Sequence, residues 1–342
     1  MSAQSIHICG SVPLSSARDV FETVAGTLGS KIRYLPDGET GEREQWIMWQ
    51  RQVFDRHPNF EAIESEGDYR NPTARIRATT WWRLKDEVFA ENVDLGVLGY
   101  AEYAKKSYEV FAILKEDGVV DESTRFMIAL PTPYNVINMS VAPADRLAVE
   151  PAYERAMAME VSEIAAALPH DQISIQWDVA HEMQTYERSR QCYFAFHQDG
   201  IVERLVRMGE IVPDGIAMGY DLCYGNFGGK HFVEPRDMAP MVELANRVSG
   251  GIGRSIDWIH MPVPIERDDE PYFKALKGLR LGNETSLYLG LVHDQDGEDG
   301  CRRRMATADK FISGYGIATE CGLGRRPPES IGPLLELHDR LV

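Results

Sequence analysis

Short apolar, β-branched runs recur along the 342 residues, and most are followed by a stretch whose apolar positions repeat every three or four residues. The runs at 5–11, 31–37, 125–131, 172–178, 216–223, 255–261, 286–293 and 315–321 predict strands. Helices are predicted between them from "SARDVFETVAGTLG", "AYERAMAMEVSEIAAALP", "IVERLVRMGEIVP", "DMAPMVELANRVSG", "PYFKALKGL" and "CRRRMATADKF". Several of these open after Ser, Asp or Pro and close at Gly or Pro, as helix ends do. Strands that alternate with helices require crossover connections and hence a parallel sheet. Eight such units predict an α/β chain folded as a single (β/α)8 TIM barrel over 1–342.

One connection breaks the rhythm. Residues 40–122, between the second and third strands, carry Trp46, Trp49, Trp81, Trp82, Tyr100, Tyr103 and Tyr108 together with helical patterns. Connections of that length are usually lids or small subdomains, so an aromatic-rich helical insertion is expected there. Trp81 and Trp82 of "TTWWRL" are the candidates for a pocket wall, although most aromatics of an insertion serve only to pack it.

Composition narrows the partners. Hydrophobic residues make up 44% and charged residues 26%, enough apolar side chains for a large core. A net charge of −17 repels a phosphate backbone, which argues against nucleic acid. No apolar run reaches the ~18 residues of a membrane span, and the N-terminus has no signal-peptide pattern. Five scattered cysteines do not make a disulfide framework. A cytoplasmic protein with reduced thiols is the expectation.

A parallel barrel places its active site at the C-terminal ends of its strands. Those ends carry Asp37 and Glu39, Asp178, Asp221 and Cys223, His260, His293 and Cys321. A lone cysteine is usually a small buried hydrophobe; two cysteines, two histidines and several carboxylates facing one mouth are a different matter. Zinc takes about four ligands of these types. Cys223 and Cys321 form the natural thiolate pair, His260 offers nitrogen, and Asp221 lies two residues before Cys223 and so on the same strand face. A thiolate-rich site suits binding of a substrate thiol as thiolate, which points to alkyl transfer onto sulfur. Cys9 ends the first strand near the same mouth, while Cys192, Cys301 and the "CRRRMA" face read as packing or solvated surface.

These residues resemble the cobalamin-independent methionine synthase superfamily over nearly the whole chain outside 40–122. "GSVPLSS" (10–16) is similar to that family's "GSFP" turn, "DGETGER" (37–43) to its "HGE-x-x-R" segment, and "IQWD" (175–178) to its "IQID". "YDLCYGNF" (220–227) is similar to "HMCYSNF", "ATECGLGRR" (318–326) to "NPDCGLKTR", and "GLVHDQDG" (290–297) lines up with the family's histidine motif. The resemblance implies zinc on Cys223 and Cys321, with Asp221 standing where the family has a histidine and His260 compensating for a glutamate ligand that is missing. It implies that Glu39 and Asp178 bind the amino group of a thiol substrate and that His293 handles the proton; Ser11 is a further candidate contact, as is His181, close to Asp178 in "WDVAHEM", which reads equally as a structural histidine. The expectation is a zinc-dependent methyl or alkyl transferase acting on a small homocysteine-like thiol. A folate-type methyl donor is not assumed, and self-association is left open. The alternatives are a metal-free lyase or decarboxylase of the kind that shares this fold with uroporphyrinogen decarboxylase, and a binding protein without catalysis.

Overall fold

The computed structural model describes residues 5–64, 80–225, 231 and 233–342. Seven strands form one parallel sheet: β1 (Tyr34–Pro36), β4 (Arg125–Pro131), β5 (Ile173–Val179), β6 (Ala217–Leu222), β7 (Trp258–Pro262), β8 (Ser286–Gly290) and β9 (Gly316–Ile317), in that spatial order. Strand order follows chain order, as helical crossovers of one hand require. The sheet curls until Ile6 is bridged in parallel to Ile32, beside β1, and to Ile317, in β9.

The predicted first strand is therefore a linking segment without a continuous ladder. Ile6 donates to the Lys31 carbonyl, His7 to that of Ile317, and Ser11 bridges Gly38. Gly10, at φ +118°, breaks the pleat between them. The second run shrinks to three residues because a tight turn occupies Gly29–Lys31, and the eighth to two.

The predicted helices appear as α1 (Ala17–Leu28), α5 (Arg146–Ala167), α7 (His197–Glu210), α8 (Ala239–Gly251), α9 (Glu270–Phe273) and α10 (Gly297–Ala308). Ser16 caps α1 by accepting from the Asp19 amide, which supplies one of the unpaired first-turn donors. The C-terminal α11 (Ile331–Leu341) packs on α1. Two short helices, α4 (Pro133–Ser140) and α6 (His181–Tyr186), follow β4 and β5 directly, where no periodic run announces them. The "CRRRMA" face is not simply solvated: Arg304 is fully buried, where its guanidinium grips both oxygens of Asp296.

Between β1 and β4 lie helical turns at Gly41–Arg43 and Trp46–Gln50, α2 (Arg51–Arg56), an antiparallel hairpin of β2 (Phe60–Glu64) and β3 (Thr80–Leu84), and α3 (Tyr100–Glu116). α3 packs on α1 and α5. Thr79 of the "TTWWRL" run lies outside the described residues.

Inside the curl, inward-facing side chains stack in rows, because parallel strands in register turn the same face at the same level. The floor holds Tyr34, Met127, Ala217, Trp258 and Tyr288, with the Tyr34 and Trp258 rings 4.1 Å apart. In one row, Gln176 pairs with Gly219 and Gly219 with Trp258. A Cβ at Gly219 would sit 2.2 Å from the indole, so the bare backbone there makes room for the largest ring of the floor. The next row up is Asp178, Asp221 and His260. Among the described residues no helix is long and apolar enough to cross a membrane.

Candidate active site

That row opens into a concave pocket at the mouth of the curl. Cys9, Glu39, Trp46, Asp178, Asp221, Cys223, Cys321 and Arg325 are on its wall. Segments far apart in sequence thus meet at one mouth, because each strand end contributes one or two residues.

The carboxylates are held differently. Asp37 does not face the pocket; it is buried in an ion pair with Arg43 at 2.6 Å and accepts from the Ser107 hydroxyl and the Glu39 amide. Burial pushes its carboxyl up, but the Arg43 charge and these hydrogen bonds outweigh that and hold it below the usual range. Its bond to the Glu39 amide spans the turn in which Glu39 takes a left-handed backbone, φ +53°. Strain of that kind persists where neighbours over-determine it, and here it aims Glu39 at the pocket. The Glu39 carboxyl is lifted to about 7 by burial, partly offset by Arg43.

Asp178 ends β5 between two donors: Trp46 gives its indole N–H to Oδ2 at 2.9 Å and Gln176 its amide to Oδ1 at 3.0 Å. Burial, with the nearby negative charges of Glu39 and Asp221, nevertheless pushes its carboxyl well up. Gln176 also donates to the Cys9 carbonyl at 3.1 Å and meets the His7 ring at 2.8 Å. It ties the floor to the mouth.

His260 reaches the Thr319 carbonyl through Nε2 at 3.0 Å, and its Nδ1 meets Asp221 Oδ1 in a very short contact. A carbonyl only accepts, so Nε2 carries the proton there and Nδ1 turns its other valence toward a carboxylate oxygen. A lone pair and a carboxylate do not sit this close unless a proton is shared between them, so the two form a hydrogen bond. Histidines that ligate metals usually donate their second N–H to a carbonyl or carboxylate in this way. The Cys223 and Cys321 sulfurs are 2.9 Å apart, both free thiols, and the Gly225 amide points at Cys223 Sγ at 3.1 Å. The Cys321 contact and burial both raise the Cys223 thiol's pKa. Donor atoms of Cys9, Asp221 and His260 lie within 4.8 Å of one another. That cluster holds one thiol, an imidazole and a carboxylate, and the Cys223 and Cys321 thiols line the same pocket outside it; donors of these types suit a soft divalent metal such as zinc.

Of the residues singled out from sequence, Glu39, Asp178, Asp221, Cys223, Cys321 and Ser11 are on the pocket wall. His260 is buried directly behind it. Ser11 Oγ accepts from the Gly324 amide at 3.2 Å, and its carbonyl accepts from Leu323, so this serine also staples the Cys321 loop. His181 is buried under Trp46, its ring edge-on at 6.1 Å, with its backbone amide held by Asn135. His293 is not on the wall: its Nε2 is bound to the Val263 carbonyl and its Nδ1 lies 3.5 Å from Glu320, the residue before Cys321. Burial lowers its pKa.

Trp81 and Trp82 are not on the wall either. Trp82 is buried and bridged to Val141 at the end of α4, and Trp81 stacks on Arg146. The aromatic wall is Trp46, from the same insertion, whose position in "EREQWIMW" carries no periodic signal. Gln176 was also missed, because an interior glutamine in an apolar run reads as an ordinary strand residue. Asn226 and Phe227 of the "YDLCYGNF" run lie outside the described residues.

No family model and no curated protein matches the chain. Solved structures do. A protein of Listeria monocytogenes, provisionally assigned as a vitamin-B12 independent methionine synthase, matches with a TM-score of 0.57 and 13% identity, over 98% of this chain and 95% of that one. A methyltransferase from Methanosarcina mazei matches with a TM-score of 0.53 and 11% identity, over 99% of this chain and 94% of that one. At these identities the likeness is one of fold.

Proposed function

We propose that the protein is a metal-dependent transferase that binds a small amino-acid-like thiol and passes a methyl or other alkyl group onto its sulfur. The observation that carries this reading is that Asp178 and Asp221 share one pocket with the thiol pair Cys223 and Cys321, with His260 next to Asp221 in the ladder behind the wall. Ile6, bridged to both sheet edges, is read as the eighth stave of a (β/α)8 barrel, with residues 40–122 as its insertion.

In this reading Cys223, Cys321, His260 and Asp221 hold zinc, which supplies a lowered thiol pKa so that the bound sulfur is nucleophilic at neutral pH. Glu39 and Asp178 receive the substrate's ammonium group. An arriving cation favours the ionised form of both carboxyls, against the burial that raises them. Trp46 holds one Asp178 oxygen and shields the site from water. Arg325, exposed at the rim, offers its charge to the substrate carboxylate. His293 fits a positioning part, acting through Glu320 beside Cys321. The partners are a small thiol and an alkyl donor.

Metal analysis of the purified protein tests this. About one zinc per chain is expected, lost in Cys223→Ser and Cys321→Ser, with thiol alkylation lost alongside it. Full turnover after chelation would overturn it. One observation favours a second reading: Glu39, poised near 7, suits proton transfer without a metal, as in a lyase or decarboxylase. Activity that survives both cysteine changes but fails in Glu39→Gln would favour that reading.

A further inference from the structure

The segment before α1 sends alternate side chains inward: His7 onto the floor beside Tyr288, Cys9 above it, and Ser11 at the mouth. Cys9 is thus brought across the interior to Asp221 and His260, on β6 and β7, although it is more than 200 residues away in sequence. A cysteine that serves as a small hydrophobe sits among apolar groups. Cys9 is buried among ionisable ones: its donor atom shares a cluster with those of Asp221 and His260, and it lines the same wall as Cys223 and Cys321. Its thiol has only a long contact to the Thr319 carbonyl, 3.8 Å. Thr319 is also the acceptor that orients His260.

The backbone allows Cys9 little adjustment. Gln176 holds its carbonyl at 3.1 Å, and the next residue, Gly10, lies so close to β4 that an added Cβ would stand 3.2 Å from that of Ala129. The sulfur is therefore held within 4.8 Å of a donor atom of Asp221 and of His260.

We propose that Cys9 is a third thiolate ligand of the metal, so that the donor set is Cys9, Cys223 and Cys321 with His260, and Asp221 close beside it. This rests on the metal-dependent reading above and adds to it a sulfur-rich site fed from the first segment of the fold. Such a set selects soft, thiophilic ions and makes the bound metal electron-rich, better suited to holding a thiolate than to activating water.

Cobalt(II) reconstitution provides the test, because the intensity of thiolate-to-cobalt charge transfer rises with the number of coordinated sulfurs. Metal-free protein, kept reduced with a phosphine, is titrated with cobalt(II) as wild type and as Cys9→Ser, Cys223→Ser, Cys321→Ser and the off-site control Cys192→Ser. Cys9→Ser is expected to lose about a third of the wild-type intensity, as each ligand cysteine should, and to bind zinc about tenfold or more weakly in chelator competition. Cys192→Ser is expected to match wild type. A Cys9→Ser spectrum equal to wild type, while the other two variants lose theirs, overturns the inference and leaves the proposed function standing. A wild type that takes up no metal overturns both. Should Cys9→Ser fail to fold, X-ray absorption on the zinc-loaded wild type decides: three sulfurs at ~2.3 Å support the proposal, and two overturn it.

Discussion

Asp221 and His260 are direct neighbours in the parallel ladder of β6 and β7, and the Asp221 carboxylate meets His260 Nδ1 while Nε2 is committed to the Thr319 carbonyl. A backbone register places them together and a carbonyl fixes which nitrogen faces the carboxylate. The pair is a buried hydrogen-bonded link between the two strands.

Asp221→Asn keeps the shape of this pair but removes its carboxylate. Zinc affinity is expected to fall by about 10- to 100-fold, as when a partner of a ligating histidine is lost, with little change in melting temperature of the metal-free form. Competition with a chromogenic chelator measures it; unchanged affinity would show that Asp221 takes no part in holding the ion.

The acid cluster makes its own contribution to the pH dependence of the metal-free protein. Burial lifts Glu39 from its usual 4.5 to about 7 in the folded chain. Between those values the folded chain keeps a proton that the unfolded chain has released. The contribution is fully present below the unfolded value and is lost as pH rises through about 7, at up to ~1.4 kcal/mol per pH unit. Asp178 and Asp221, also raised, act in the same direction, while the buried His7, His181 and His338, which burial lowers, oppose them. In thermal melts of metal-free protein, the gap between pH 5.5 and pH 7.5 should therefore shift in favour of the higher pH in Glu39→Gln. An equal gap in both proteins would remove Glu39 as a source.

Trp46→Phe retains the aromatic wall and deletes the hydrogen bond to Asp178 Oδ2. A hydrogen bond to a charged group is worth roughly 1.5–3 kcal/mol. Since that bond helps Asp178 to ionise, its loss should raise KM for an amine-bearing substrate by about tenfold or more and shift the acid limb of kcat/KM to higher pH. Steady-state kinetics across pH would show it, and a change in kcat alone would argue for a different part for Trp46.

Gly322 lies so close to the first segment that an added Cβ would meet Ser11 Oγ at 2.4 Å. Gly322→Ala should destabilise the protein by about 1–3 kcal/mol through overpacking and displace the adjacent Cys321. Ser11→Ala removes the offending oxygen, so the double variant should recover much of the loss. Denaturant melts of the four proteins form a double-mutant cycle, and strict additivity would place the strain elsewhere.

The periodic pattern by itself determined the alternation of strands and helices and the parallel sheet they require. It also determined the residues at the strand ends, because a parallel sheet puts those ends on one face whatever its details. Asp178, Asp221, Cys223 and Cys321 were legible for that reason. What only the tertiary structure decided were contacts between segments with no local signature. The curl of the sheet brings Cys9 to Asp221 and His260, the left-handed turn at Glu39 depends on Asp37 and Arg43, and the wall indole is Trp46 because Trp82 is drawn under the hairpin against Val141. His293 shows the same limit: its place at a strand end was readable, but its commitment to the Val263 carbonyl and to Glu320 was not. Periodicity records which face of an element is buried. Which distant residue it is buried against is set by packing and hydrogen-bond satisfaction across the whole fold.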